Sequence, residues 1–172
     1  MDLLRLARKA VETYVTRGEV ISPDKRTKKA GAFVTIYRVV GGKKLLRGCM
    51  GIPEPSKFVE DAVVEAAVSA CNDPRFPPLT REELDRILLE VSVLSQPVET
   101  SVDEIKPGDG VIVRKGILAG LLLPQVWKEI PDKERFLSAL CLKAGLNPTA
   151  WKYDRSLKFW KFEAKVFSEC RS

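Results

Sequence analysis

Apolar positions in this chain follow two rhythms, and the switches between them lay out the elements. Leu3, Leu4, Ala7, Ala10 and Val11 recur at helical spacing with charges between them, which predicts an amphipathic helix over residues 2–17, ended near Gly18. A charged loop runs from Ser22 and Pro23 to Gly31. Residues 32–40, AFVTIYRVV, are β-branched and aromatic, and apolar on both parities, so they predict a covered or central strand. Gly41-Gly42 makes a turn, and KLLRGCMGI returns antiparallel. Ser56 is placed to cap a helix with Val59, Val63, Ala66, Ala67, Ala70 and Cys71 on one face, stopped by Pro74. Thr80 and Glu83 form a capping box that opens a short helix to about Arg86.

The later part of the chain returns to strand-like alternation. Ile87, Leu89, Val91 and Val93 lie on one face and Glu90 and Ser92 on the other, a half-exposed strand ended by Pro97. Turn residues fill 101–110, and VIVRKGILAGLLLP reads as a hairpin turning at Lys115-Gly116, followed by one or two helical turns after Pro124. Asp132 caps a helix with the face Phe136, Leu137, Leu140, Cys141 and Ala144, closed by Gly145. In KFWKFEAKVF, Trp160, Phe162, Ala164 and Val166 face one way and Lys161, Glu163 and Lys165 the other, one strand wet on one side. Hairpin followed by helix occurs twice, near 32–72 and near 111–144. No linker separates the two stretches. The expectation is a single domain over residues 1–172, with two lobes, in the α+β class with a mainly antiparallel sheet.

Composition narrows the chemistry. The 172 residues are 45% hydrophobic and 30% charged, a globular balance, and no apolar run has the length of a membrane span. The N-terminus lacks the uninterrupted apolar core of a secretory signal, so the expected location is the cytoplasm. A net charge of +6 suits a polyanionic partner, with one dense basic run at Asp24–Lys29 that would make RNA contacts if it binds phosphate. The four cysteines, Cys49, Cys71, Cys141 and Cys170, form no C-x-x-C pair, so no zinc ribbon or redox dithiol is predicted, and no metal or cofactor is called for. There are no histidines, which excludes Ser-His-Asp and Cys-His catalysis and every His-ligated metal site. Proton transfer must then use Asp, Glu, Lys, Tyr, Cys or water.

Against that background LLRGCMG, residues 45–51, is unusual. In regular alternation Leu46, Met50 and Ile52 share one face and Arg47 and Cys49 the other. A guanidinium beside a thiol favours the thiolate. Gly48 and Gly51 remove bulk on either side of Cys49, which admits a ligand, another backbone, or a bulge in the strand. The competing reading is a small buried cysteine, with Arg47 on a carboxylate such as Glu54 and glycines that serve packing.

LLRGCMG, followed by DPRFPPL, LLEVSVLS, GLLLPQV and the CLKAGL segment with its later tryptophan, resembles the AMMECR family. The family is named for the chromosomal region of Alport syndrome, intellectual disability, midface hypoplasia and elliptocytosis, and this chain resembles an archaeal-type, single-domain member. The likeness runs from about Gly31 to Glu169. Where the family signature reads LRGCIG, Met50 stands for isoleucine on the apolar parity, a packing change. The resemblance implies an α+β fold in two lobes around a barrel-like sheet, with the signature as a proposed functional site, and brings no assigned reaction. It also implies an association with Memo-like and radical-SAM-like proteins, to which some relatives are joined or beside which they are encoded.

Three prolines in NDPRFPP restrain Asp73, a candidate base or orienting group, and Arg75, a candidate anion clamp. A rigid turn satisfied by local hydrogen bonds is the plainer alternative. Gln125 offers an uncharged donor and acceptor near a strand end, and Trp127, Trp151 and Trp160 suit the core better than base stacking. Three functions follow. The first is an enzyme or enzyme subunit with Cys49 as nucleophile or thiolate ligand, Arg47 stabilising negative charge and Asp73 handling protons. The others are an adaptor whose groove floor is the glycine-rich signature, and an RNA binder using the Lys25–Lys29 loop with Lys161 and Lys165.

Overall fold

The computed structural model describes residues 2–170, so Met1, Arg171 and Ser172 of the expected 1–172 domain lie outside the described residues. The chain forms two compact units: residues up to Leu94 together with those from Lys165 onward, and Ser95–Ala164. The 32–72 hairpin and helix fall in the first unit and the 111–144 pair in the second.

In the first unit, α1 (Leu3–Arg17) starts at Asp2, whose carboxylate accepts from the Arg5 N–H at 2.8 Å, and ends at Gly18. Strands β1 (Gly31–Val40) and β2 (Lys43–Ile52) form the expected hairpin. Both turn glycines have positive φ, 57° at Gly41 and 78° at Gly42, which a two-residue turn matched to the strand twist requires. After α2 (Val59–Cys71) and a 3₁₀ stretch (Arg81–Arg86) comes β3 (Ile87–Leu94), antiparallel to β1. The sheet order is β2-β1-β3-β8, with β8 (Ala164–Ser168) arriving from far along the chain. Val34, Ile36, Leu89 and Val91 share a core with the apolar faces of α1 and α2. Glu169 fastens the last strand: its carboxylate accepts from Arg8 (2.5 and 2.9 Å) and from the Leu89 N–H (2.7 Å), while Arg8 also donates to the Leu84 and Ile87 carbonyls.

In the second unit, β4 (Val98–Thr100), β5 (Gly110–Lys115), β6 (Leu118–Leu122) and β7 (Lys158–Phe162) give the order β4-β7-β5-β6. Helix α3 (Lys133–Lys143) buries Phe136, Leu137, Leu140 and Cys141 in a core with Val111, Val113 and Phe159. Trp127, on a 3₁₀ stretch (Pro124–Lys128), stacks on Phe136 with ring centroids 3.9 Å apart. A short helix, α4 (Ala150–Tyr153), completes the unit, and Trp151 on it donates to Ser138 Oγ at 3.1 Å.

The class is α+β with antiparallel sheets, as the patterning and the resemblance implied. Four details differ. Each sheet is open, so the sheet is not barrel-like: β2 ends the first sheet and takes no further strand. Ser56 does not cap α2, which begins at Val59 after Phe58 with no side-chain cap, because the Val59 N–H is taken by the Lys28 carbonyl at 2.8 Å. Residues 158–168 are two strands in two sheets, parted at Glu163, whose N–H and C=O bond Ser95. In consequence the expected shared face fails: Phe159 is buried, and Val166 is exposed. Finally, β3 is an interior strand whose polar side is wet only in part: Ser92 is fully buried, while Glu90 is half-buried and accepts from Ser168 Oγ at 2.9 Å.

Candidate functional site

The site begins with a break in alternation. Across β1 and β2, Ile36 pairs with Gly48 and Tyr37 with Leu46, so Arg47 is the extra residue of a β-bulge. Its guanidinium turns to Glu83, with Nε to Oε2 at 2.7 Å and Nη2 to Oε1 at 3.0 Å, and also donates to the Pro78 carbonyl at 3.2 Å. Glu83 closes its capping box with Thr80 through the same carboxylate. The bidentate fork on Glu83 therefore replaces the expected pair with Glu54. The hydrogen bond from Arg47 is the main reason that the Glu83 carboxyl sits below the usual range, with burial opposing it.

Cys49 is half-buried and its sulfur accepts from Thr35 Oγ at 3.3 Å. Thr35 is its cross-strand partner on β1, and Glu90 on β3 is the partner of Thr35 on the other side, so the three lie in one row on the face turned away from Val34 and Ile36. The Cys49 N–H points out of the sheet edge and donates to Asp73 Oδ2 at 3.0 Å, the bond that an additional strand would otherwise take.

Asp73 follows α2 directly. Pro74 cannot continue the helix, and the chain turns so that the Phe76 N–H bonds the Asp73 carbonyl at 3.0 Å. The Asp73 side chain is 1% exposed and accepts four hydrogen bonds: one from Cys49 and three from Arg75, through its backbone N–H (3.0 Å), Nε (3.1 Å) and Nη2 (2.8 Å). These bonds, led by the Arg75 guanidinium, hold its carboxyl far below the ordinary range, so it is an anion with its lone pairs in use and is suited to orienting rather than to accepting a proton. Arg75 keeps 57% of its side chain exposed and lies over the Phe76 ring at 5.5 Å. Its guanidinium is held protonated above its usual value, first by the bonds to Asp73 and in lesser part by charge at Asp73 and Cys49.

The glycines have packing reasons. A Cβ on buried Gly48 would overlap the Ala70 carbonyl oxygen of α2, and one on Gly51 would overlap the Ala32 carbonyl and the Phe33 backbone. Of the three openings the sequence allowed at Gly48, the structure takes two: another backbone, supplied by the end of α2, and a bulge beside it. No ligand-sized space exists at that Cα.

The structure thus brings Cys49, Asp73 and Arg75 together, with Gly48 beneath them and Arg47 one residue away facing Glu83. Gln125 lies on the 3₁₀ stretch of the second unit. Thr35 and Glu83 are the partners that sequence reasoning missed. Thr35 was visible as the one aliphatic hydroxyl in its strand, whereas nothing local to Arg47 singles out a carboxylate 36 residues on. Among the described residues no group of three or more His, Cys, Asp or Glu side chains could hold a metal, and Cys49, Cys71, Cys141 and Cys170 form no disulfide. Burial pushes the Cys71 thiol up to about 11, offset in small part by the Arg47 charge, and burial likewise raises Cys141.

Two open antiparallel sheets with helices packed on them define an α+β protein, and on one edge strand a cysteine is tied by its backbone to an aspartate–arginine pair. The AMMECR1 family model matches residues 4–167, and the chain belongs to that family. It is 45% identical to a protein of Thermofilum pendens over 188 residues, covering 97% of this chain and 88% of that one. It is 47% identical to the PH0010 protein of Pyrococcus horikoshii over 182 residues, with the same coverage. A crystal structure of PH0010, an uncharacterized protein, superposes with a TM-score of 0.89 at 44% identity, covering 97% of this chain and 89% of that one. Among the described residues no helix is long and apolar enough to cross a membrane.

Proposed function

We propose that the protein works through the Cys49 sulfur, as an enzyme or enzyme subunit in which the thiolate attacks or ligates a substrate carrying negative charge. The single observation behind this reading is the Asp73 carboxylate, which bonds the Cys49 N–H and the Arg75 fork at once. One buried anion thereby sets the position of both a thiol and an exposed cation. In that arrangement Arg75 favours the thiolate and grips the substrate anion, Thr35 donates to the sulfur, and Asp73 is the positioning group. Arg47 supports the strand through Glu83 and acts only by holding the bulge in place.

The adaptor reading loses its groove floor, because Gly48 is covered by α2. RNA binding through Lys25–Lys29 remains a charge argument alone. The Memo-like and radical-SAM-like associations fit a subunit in a cytoplasmic multi-enzyme system, and they rest on the resemblance.

Alkylation tests the proposal. Iodoacetamide at neutral pH, read by peptide mass spectrometry, should modify Cys49 faster than exposed Cys170, although Cys49 is the less accessible of the two. In Arg75→Gln that advantage should shrink at least severalfold. A Cys49 that reacts no faster than buried Cys71 in the folded protein ends the thiolate reading.

A further inference from the structure

The basic loop that the thiol site does not use lines a broad hollow of the first unit. This cleft of about 690 Å³ lies between the first turns of α1, residues 21–28, the start of α2, and the β3 and β8 strands. Its size is that of sites for small organic ligands. Its floor is aliphatic, with Leu3, Leu6, Ile21, Val59 and Val93, and Phe167 is the one aromatic ring. Four lysines reach it from three directions: Lys9 from α1, Lys25 and Lys28 from the loop, and Lys165 from β8.

The loop is held firmly. Glu60 is a buried carboxylate that accepts from the Thr27 N–H at 2.5 Å and from Thr27 Oγ at 2.9 Å. Arg26 forks onto Asp61 at 2.8 and 3.0 Å, and the Lys28 carbonyl accepts from the Val59 N–H. Arg26 is thus spent on the scaffold, while Lys25 and Lys28 are turned to the cleft. Among the described residues Lys9, Lys25 and Lys28 have no carboxylate within ion-pair distance. Of the carboxylates in the lining, Asp2 is engaged by the Arg5 N–H and guanidinium and Glu60 by Thr27, which leaves Asp24 against four ammonium groups.

We propose that this cleft binds a small amphipathic anion, an aliphatic chain ending in a carboxylate or phosphate, with the chain on the floor and the head group among the lysines. An aliphatic floor with unpaired cations at its rim is complementary to that chemistry. It suits a nucleic acid poorly, since single-stranded binding draws on several stacking aromatics beside the positive charge. The cleft borders β8, at the opposite end of the sheet order from β2 and Cys49, so its occupancy and the thiol chemistry succeed or fail separately.

Isothermal titration with decyl phosphate and decanoate tests it, with decanol, inorganic phosphate and a short single-stranded RNA as comparisons. Both amphipathic anions should bind at one per chain, and decanol and inorganic phosphate at least tenfold more weakly. Binding should fall at least tenfold in the double variant Lys25→Glu and Lys28→Glu, and also in Val93→Trp, which fills the floor. Methyl resonances of Ile21, Leu6 and Val93 in the unaltered protein should shift on titration, a reading that does not depend on any variant folding. Equal binding of decanol, equal binding of inorganic phosphate, tighter binding of the RNA, shifts confined to other methyls, or no binding by either amphipathic anion would each overturn the proposal.

Discussion

Gly48 shows how little room one residue has. Its Cα lies under the Ala70 carbonyl, and neither the backbone of α2 nor that of β2 can yield without disturbing the sheet. Gly48→Ala should therefore destabilise the fold by about 1–3 kcal/mol, the range for overpacked interiors. Urea unfolding of the variant against the parent checks this, and an unchanged midpoint would mean that α2 shifts freely. The same contact explains why glycine in the signature is ambiguous when read in sequence. An absent side chain makes room equally for a substrate or for a neighbouring helix, and only the approach of residue 70 decides between them.

At the scale of elements, the turn after α2 is docked on the β2 edge by charge. Asp73 joins that turn to Cys49 of β2, and its folded-state ionisation lies below its value in an unfolded chain, about 3.9. A carboxyl shifted in that direction contributes stability that is complete above the unfolded value and is lost as pH falls toward the folded one. Asp73→Asn should cost about 1–3 kcal/mol at pH 7, the penalty for disrupting a buried, charge-assisted set of bonds. The gap between variant and parent should narrow below about pH 4, as the parent loses its own advantage. Urea midpoints at pH 7 and pH 3 read both effects, and a gap that stays constant would show that the ionised carboxylate is not the source.

Elements also divide what was legible in the chain from what was not. Helices α1 and α3 announce themselves, since their apolar spacing runs for several turns and Asp2 and Asp132 stand ahead of them. The β1–β2 hairpin follows from Gly41-Gly42. Alternation could not reveal the bulge at Arg47, because a single inserted residue reverses facing without altering composition. It therefore aimed Arg47 at Cys49 when its partner is Glu83. Asp73 and Arg75 stood out singly because proline restraint is local, but nothing in the sequence showed that they pair with each other. Strand β4, three residues long, leaves too short a pattern to read. The break at Glu163 depends on Ser95, 68 residues earlier in the chain.

Across the whole molecule the thiols report the distribution of packing. Cys71 and Cys141 belong to the cores of the two units, Cys49 is half-buried, and Cys170 is exposed. A thiol-exchange reagent should release two equivalents readily from the native protein and all four in denaturant. A third fast equivalent in the native state would indicate that one of the two cores opens on the timescale of the reagent.

Strand β8 has a consequence for how the protein is made. A ribosome produces α1, β1, β2, α2 and β3, and then the whole stretch from Ser95 to Ala164, before β8, the second neighbour of β3, is complete. Throughout that interval β3 is a bare border of the nascent sheet, and Arg8 waits for Glu169. The first half of the polypeptide is thus the earliest to emerge and the last to be finished, and its β3 edge stays open to pairing with other strands for as long as translation of the insert takes.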